Sequence, residues 1–268
     1  MRTSLLLLAD SRLPAGGHAH SGGLEAAVAA GRVTDIVSLD GFLRGRLATT
    51  GLVAASFAAA SCARSADPDP GPGRGPGPGP GPGPGPGPGP MIGTTSRKLL
   101  PQTGPETTTS GKLCRSWEGS GVTAELDAEY DARTPSPALR RVSRQQGKAL
   151  LRAGRAMWPL PVTPTDPHHP IALGIVAGAA GLGPVDAALV TAYGAVTGPA
   201  SAAVRLLGLD PYAVQALLAA LAPACDETAA TAASYAEADP TDLPAAGAPL
   251  LDIGAEIHAS WEVRLFAS

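Results

Sequence analysis

Apolar residues in this chain recur at three- and four-residue steps, the spacing that gathers side chains on one face of a helix. Strict alternation, the mark of a half-buried strand, is scarce. Residues 1–9 read as a short apolar helix closed by Asp10-Ser11 and Pro14. A second helix begins near Ser21 and runs through "LEAAVAAGRV", with Leu24, Ala27, Val28 and Gly31 on one face. A third starts near Asp35 and carries Leu39, Phe42, Leu43, Leu47, Val53, Ala54 and Phe57 inward, with Arg44 and Arg46 off that stripe.

The texture then changes. From Asp67 to Pro90 the chain is nearly pure Gly-Pro alternation, and residues 91–122 are rich in Thr, Ser and Gly without a sustained period. A two-residue period is not collagen, which needs Gly at every third position. Each Pro removes a donor, each Gly adds chain entropy, and nothing is left to pack, so 65–122 reads as a disordered insertion.

Helical signals resume at Thr123–Tyr130. Thr134-Pro135-Ser136-Pro137 supplies cap and first-turn residues for a helix to about Trp158, with Leu139, Val142, Gln146, Leu150, Ala153 and Met157 inward. Arg140, Arg144, Lys148, Arg152 and Arg155 lie on another face. Further helices are expected over His169–Ala180, from Pro184 to about Leu207 with Gly198-Pro199 as a kink, and from Asp210-Pro211 onward with a break near Pro223. A last one spans about Ala248–His258. The expectation is an all-α fold: one bundle-like domain of about 8–10 helices formed by residues 1–64 and 123–268, with 65–122 inserted between them.

Composition supports this plan. Ala and Leu dominate while aromatics make up 4% of the 268 residues, which favours helices packed through small side chains. A balance of 20 basic against 23 acidic residues points to neither nucleic acid nor an anionic membrane. The three cysteines, Cys62, Cys114 and Cys225, show no C-x-x-C, so a thiolate metal site or disulfide framework is not expected and a reducing compartment is. The apolar start halts at Asp10, too soon for a signal peptide, and no uninterrupted apolar run approaches about 18 residues. A cytoplasmic protein is expected.

Candidate chemistry centres on "ADSRLPAGGHAHSGGLEAA", residues 9–27. Its glycines match neither the P-loop nor the dinucleotide fingerprint, and no strand precedes them, so turn and helix-start chemistry is the better reading. His18 and His20, one residue apart, could face one nickel, copper or zinc ion from loop backbone, with His168-His169 adding ligands. No Cys, Asp or Glu close by completes such a set, and packing or surface roles compete with it. The Arg140–Arg155 stripe could bind nucleic acid or a phosphorylated ligand, but it lacks interleaved aromatics and reads first as a solvated face and second as a site for an acidic protein partner. No nucleophile–base motif is present, so no catalytic residue is assigned. The terminal "ASWEVRLFAS" carries Trp261, Leu265 and Phe266 in a tail too short for its own core; it must dock on its own domain or on another protein.

Three blocks together resemble one family. "LLLLADSRLPAGGHAHSGGLEAAVAAGRV", "DARTPSPALRRVSRQQGKALLRAGRAMWP" and "APLLDIGAEIHASWEVRLFAS" are similar, in that order, to segments of the urease accessory protein UreF, actinobacterial members above all. The resemblance implies an all-α, non-catalytic adaptor in the maturation of urease, a nickel enzyme. Such members dimerise, bind the accessory protein UreD (also called UreH), recruit the GTPase UreG, and act on apo-urease; nickel would pass transiently rather than stay bound. By the same resemblance His258, Arg264, Leu265, Phe266 and Ser268 belong to a partner-docking arm. Leu13, Pro14, Gly16, Gly17, Ser21, Gly22, Leu24 and Glu25, with Gln146, Gly147, Leu150 and Leu151, form the structural signature. His18-Ala19-His20 departs from the Phe-Ser-Tyr or Phe-Ser-His of many members, and the Gly-Pro insertion replaces a short connection. A histidine-based nickel carrier is the alternative reading, with His18 and His20 as ligands.

Overall fold

The computed structural model describes residues 2–10, 12–15, 20–65 and 114–266. Among these the chain forms ten α-helices: α1 Arg2–Ala9, α2 Leu24–Ala29, α3 Ile36–Arg46, α4 Leu52–Ser65, α5 Cys114–Ala132, α6 Pro137–Met157, α7 His169–Ala179, α8 Pro184–Leu207, α9 Pro211–Ala233 and α10 Pro249–Ala259. The expected all-α class holds.

Asp35 opens α3 through a reciprocal cap: its carboxylate accepts the Ser38 N–H at 2.8 Å, and Ser38 Oγ accepts the Asp35 N–H at 3.1 Å. A π-helical turn, Leu47–Gly51, joins α3 to α4 without interrupting the rod. α4 lies at the centre, against α7, α8 and α9. Every residue from Ala55 to Cys62 is buried, as an all-round apolar helix must be. Its small side chains allow near-backbone contact: a methyl on Gly174 of α7 would sit 2.5 Å from the Ala58 carbonyl oxygen. The hydroxyls this places inside are satisfied, Ser61 Oγ donating to the Ile171 carbonyl at 2.9 Å.

Two large apolar cores and a smaller alanine cluster (Ala55, Ala59, Ala188, Ala229, Ala232 and Ala236) pack around α4. One large core gathers around Phe57 with Leu126, Leu150, Leu151, Ile171 and Ile175. The other joins α2, α3, α8 and α9 through Leu24, Leu39, Leu43, Val196 and Leu221. The helical stretches Ile36–Ser65 and Pro184–Leu207 are apolar and long enough to cross a membrane by length and composition, yet 61% of an 18-residue window in each is buried inside the fold. Their apolarity is spent on these cores.

Several expectations need correction. α2 spans only Leu24–Ala29, because Gly31 takes a positive φ and turns the chain. α5 begins at Cys114, inside the stretch assigned to the insertion; residues 66–113 lie outside the described ones. α9 runs unbroken through Pro223, whose i−4 partner Ala219 is exposed, so water can take the vacated carbonyl. On α6 the buried positions are Ala138, Gly147, Leu150, Leu151, Ala153 and Gly154, while Met157 is exposed. Two glycines rather than a methionine face inward because α6 approaches its neighbours too closely for a large side chain.

Candidate partner-docking site at the C-terminal arm

The signature turn ends in Ser21-Gly22-Gly23. Gly22 and Gly23 hold φ of 59° and 87°, conformations that a side chain would strain. The Gly22 carbonyl accepts Arg46 Nη1 at 2.8 Å, so an arginine expected outside the inward stripe reaches back to pin this turn. Ser21 is buried, and its Oγ accepts the Glu25 N–H at 3.3 Å. Leu13 packs against the first core, Pro14 is exposed, and Leu24 is fully buried. Gly16, Gly17 and His18 fall outside the described residues; His20 is half-buried.

The turn aims Glu25 into the interior, where its carboxylate collects donors from the far end of the chain. His258 Nε2 donates to Oε2 at 2.9 Å, the Leu265 N–H to Oε1 at 2.9 Å, and the Phe266 N–H to Oε2 at 3.0 Å. Glu25, His258 and Phe266 are all buried. The Trp261 ring packs against that of His258 with centroids 4.7 Å apart, and the Arg205 guanidinium lies 5.6 Å over the Phe266 ring. Of the two hosts open to the tail, its own domain receives it through Phe266. Ser268 lies outside the described residues.

The docked arm still shows an outward face. Val263 is 83% exposed and Leu265 73%, with Arg264 exposed between them. Leu250, Ile253 and Ile257, at three- and four-residue steps on α10, are exposed as well. A groove of about 190 Å³ runs between α2 and α10, lined by Ala26, Ala29, Arg32, Ile253, Ile257 and Trp261. α10 is oriented by its acidic side: Glu256 Oε1 accepts the Ala138 N–H at 2.8 Å and bonds Ser136 Oγ, and Asp252 accepts the Ser136 N–H at 3.3 Å. Carboxylates thus cap the N-terminus of α6, where the helix dipole favours them. These bonds hold the Glu256 carboxyl below the usual carboxylate range, whereas burial raises Asp252.

A second polar cluster ties α5 to α6 and to the residue that precedes α7. Arg144 bonds Asp127 at 2.9 Å and Asp131 at 3.0 Å, while fully buried His168 donates Nε2–H to Asp131 at 2.9 Å and its N–H to Asp127 at 2.7 Å. Burial pushes the His168 imidazole down despite its carboxylate partner. Burial acts against Asp131, but the bonds to His168 and Arg144 outweigh it and the carboxyl titrates low. His169 is driven down to about 4 by burial, with His20 close enough to add to the effect. Gln146 is half-buried beside Gly147, where a methyl would fall 2.1 Å from the Pro167 carbonyl oxygen.

The cluster also accounts for the basic stripe. Arg144 pairs with Asp127 and Asp131, Lys148 with Asp166 at 3.1 Å, and Arg140 donates to the Thr134 carbonyl; Arg152 and Arg155 are exposed. Sequence reasoning missed Asp127 and Asp131, although their four-residue spacing on one helix was the available signal. Among the described residues no group of three or more His, Cys, Asp and Glu side chains is arranged to hold a metal. Burial, with Asp186 nearby, pushes the Cys62 thiol up to about 12, far from a reactive thiolate.

Comparison with known proteins places these features in a family. The family model described as UreF matches residues 111–222. The chain is 40% identical to the urease accessory protein UreF of Mycobacterium sp. (strain JLS), over 99% of this chain and 98% of the relative. It is likewise 40% identical to that of Mycolicibacterium vanbaalenii, with the same coverage. To the protein of that name from Mycobacterium tuberculosis (strain H37Rv) it is 34% identical, over 98% of this chain and 97% of the relative.

Proposed function

The chain belongs to the urease accessory protein UreF family, and from that premise we propose that it is a non-catalytic helical adaptor in the nickel-dependent maturation of urease. In this reading α10 and the docked arm receive the UreD/UreH accessory protein. The assembled pair, dimeric through this chain, recruits the GTPase UreG and presents it to apo-urease in the cytoplasm. Nickel is the cargo of that assembly and not a resident of this chain.

One observation carries the reading: five aliphatic side chains, Leu250, Ile253, Ile257, Val263 and Leu265, stand exposed within sixteen residues of the C-terminus of α10 and its arm. Solvent-exposed aliphatics gathered along one segment mark a surface that another protein covers. The same arm is anchored to its own domain through the family signature residue Glu25, so its outward face is presented in a defined geometry.

The test is co-purification of the full chain, tagged at its N-terminus, with UreD/UreH and UreG, together with urease activity in a strain lacking this gene. Retention of both accessory proteins and loss of urease activity on deletion are expected. Failure of both proteins to associate, with urease activity intact in the deletion strain, would overturn the reading.

A further inference from the structure

The arm lacks any regular ladder of its own. After α10 the backbone–backbone bonds Ser260 N–H to Ile257 O and Trp261 N–H to His258 O close the last turn. Beyond them, the amides of Leu265 and Phe266 are held by the Glu25 side chain. From these contacts we infer that Glu25 is a positioning residue for partner recognition: through His258 and two arm amides it holds residues 258–266 so that Val263 and Leu265 face outward beside the α10 stripe. The inference rests on the reading that α10 and the arm receive the UreD/UreH partner.

Three features separate this role from an ordinary buried carboxylate. Glu25 is itself buried, so a partner cannot read it, and any effect on binding must travel through the arm. Two of its three distal donors are main-chain amides, so the clamp acts on the arm's path whatever side chains the arm carries. The outward residue Leu265 supplies one of those amides, which makes its side-chain exposure and its backbone anchorage a single arrangement. Removing the acceptor leaves the two arm amides unsatisfied at once, and the cheapest relief is for them to swing out to water.

Three variants of the full chain separate the possibilities: Glu25→Gln, which turns an amide NH₂ toward the donors, Leu265→Pro, which deletes one clamped N–H, and Leu265→Ala, which keeps that N–H and trims only the exposed side chain. Amide hydrogen exchange over residues 262–266 reports the arm, and calorimetric titration with purified UreD/UreH reports the partner. We expect Glu25→Gln and Leu265→Pro to speed exchange by at least about tenfold and to weaken partner binding by about tenfold or more. Leu265→Ala should weaken binding with exchange unchanged. If Glu25→Gln does not fold, Leu265→Pro decides by comparison with Leu265→Ala, which loses the same exposed side chain but keeps the clamped N–H, so only the further loss of affinity and the faster exchange read the clamp. Unaltered exchange in the clamp variants, or faster exchange with full affinity, would overturn the positioning role. Deleting residues 263–266 tells the two levels apart. Loss of binding on deletion but not in the clamp variants refutes the positioning role alone, and binding that survives deletion refutes the docking reading beneath it.

Discussion

Arg46 donates from Nε to the carbonyl oxygen of Ala195 at 3.1 Å, the acceptor left without its helical N–H by Pro199 four residues on. One guanidinium thereby repairs the proline defect in α8 and, through the Gly22 carbonyl, fastens the signature turn. Burial lowers the basicity of this arginine, so its charge is retained at a cost that the two carbonyls offset.

Arg46→Met should destabilise the fold by about 2–4 kcal/mol, since two inward carbonyls lose their donor. Urea unfolding of Arg46→Met, Pro199→Ala and the double variant measures the link. A coupling of about 1 kcal/mol is expected, because Pro199→Ala gives the Ala195 carbonyl a helical donor. Strict additivity would separate the arginine from the proline.

Gly147→Ala should cost about 2 kcal/mol or more, because the added methyl meets main chain 2.1 Å away and neither helix nor loop can yield cheaply. Gly194→Ala on α8 meets nothing within 4 Å and should be neutral or stabilise by up to about 1 kcal/mol through helix propensity. Thermal melts of the two variants check the contrast, and equal effects would defeat it.

Stability should fall as the solution is acidified from neutrality. His168 and His169 titrate below the ordinary imidazole value of 6.5, His169 at about 4, so the native state binds fewer protons than the unfolded chain in that window. Their contribution is whole above pH 6.5 and is lost as pH drops toward 4. Asp131, held low in the fold, adds a loss of the same sign below the ordinary carboxylate value of 3.8. Melting temperatures measured from pH 7.5 to 4.5 should decline, and His169→Gln should flatten the curve. A flat wild-type profile over that range would contradict the argument.

Ile253→Asp and Ile257→Asp alter exposed positions and should leave melting temperature within about 2–3 °C of the parent chain. Each should nevertheless weaken capture of UreD/UreH by about tenfold or more, read by co-purification and titration, if this stripe is the covered face. Undiminished capture by both variants would move the interface elsewhere.

Most helices were legible because an amphipathic period, a cap and a breaker are local features, as with Asp35 and Ser38 on α3 or Asp210 and Pro211 on α9. Local features failed where a distant group intervened. Arg46 reads as a surface residue until Pro199 vacates a carbonyl in front of it. Asp127 and Asp131 acquire a role only when Arg144 and His168 reach them. The period of α6 marks Met157 as inward, but close contact at Gly147 and Gly154 selects a different face.

What the chain determined by itself was its all-helical class, its Ala- and Gly-mediated packing, the importance of "LPAGGHAHSGGLE" and "RLFAS", and its family. Tertiary structure decided that these two motifs are halves of one device. Glu25 and Phe266 lie 241 residues apart, and no local pattern specifies which buried carboxylate will receive which main-chain amide. That pairing follows only when the helices close and each inward polar group must find the partner left to it.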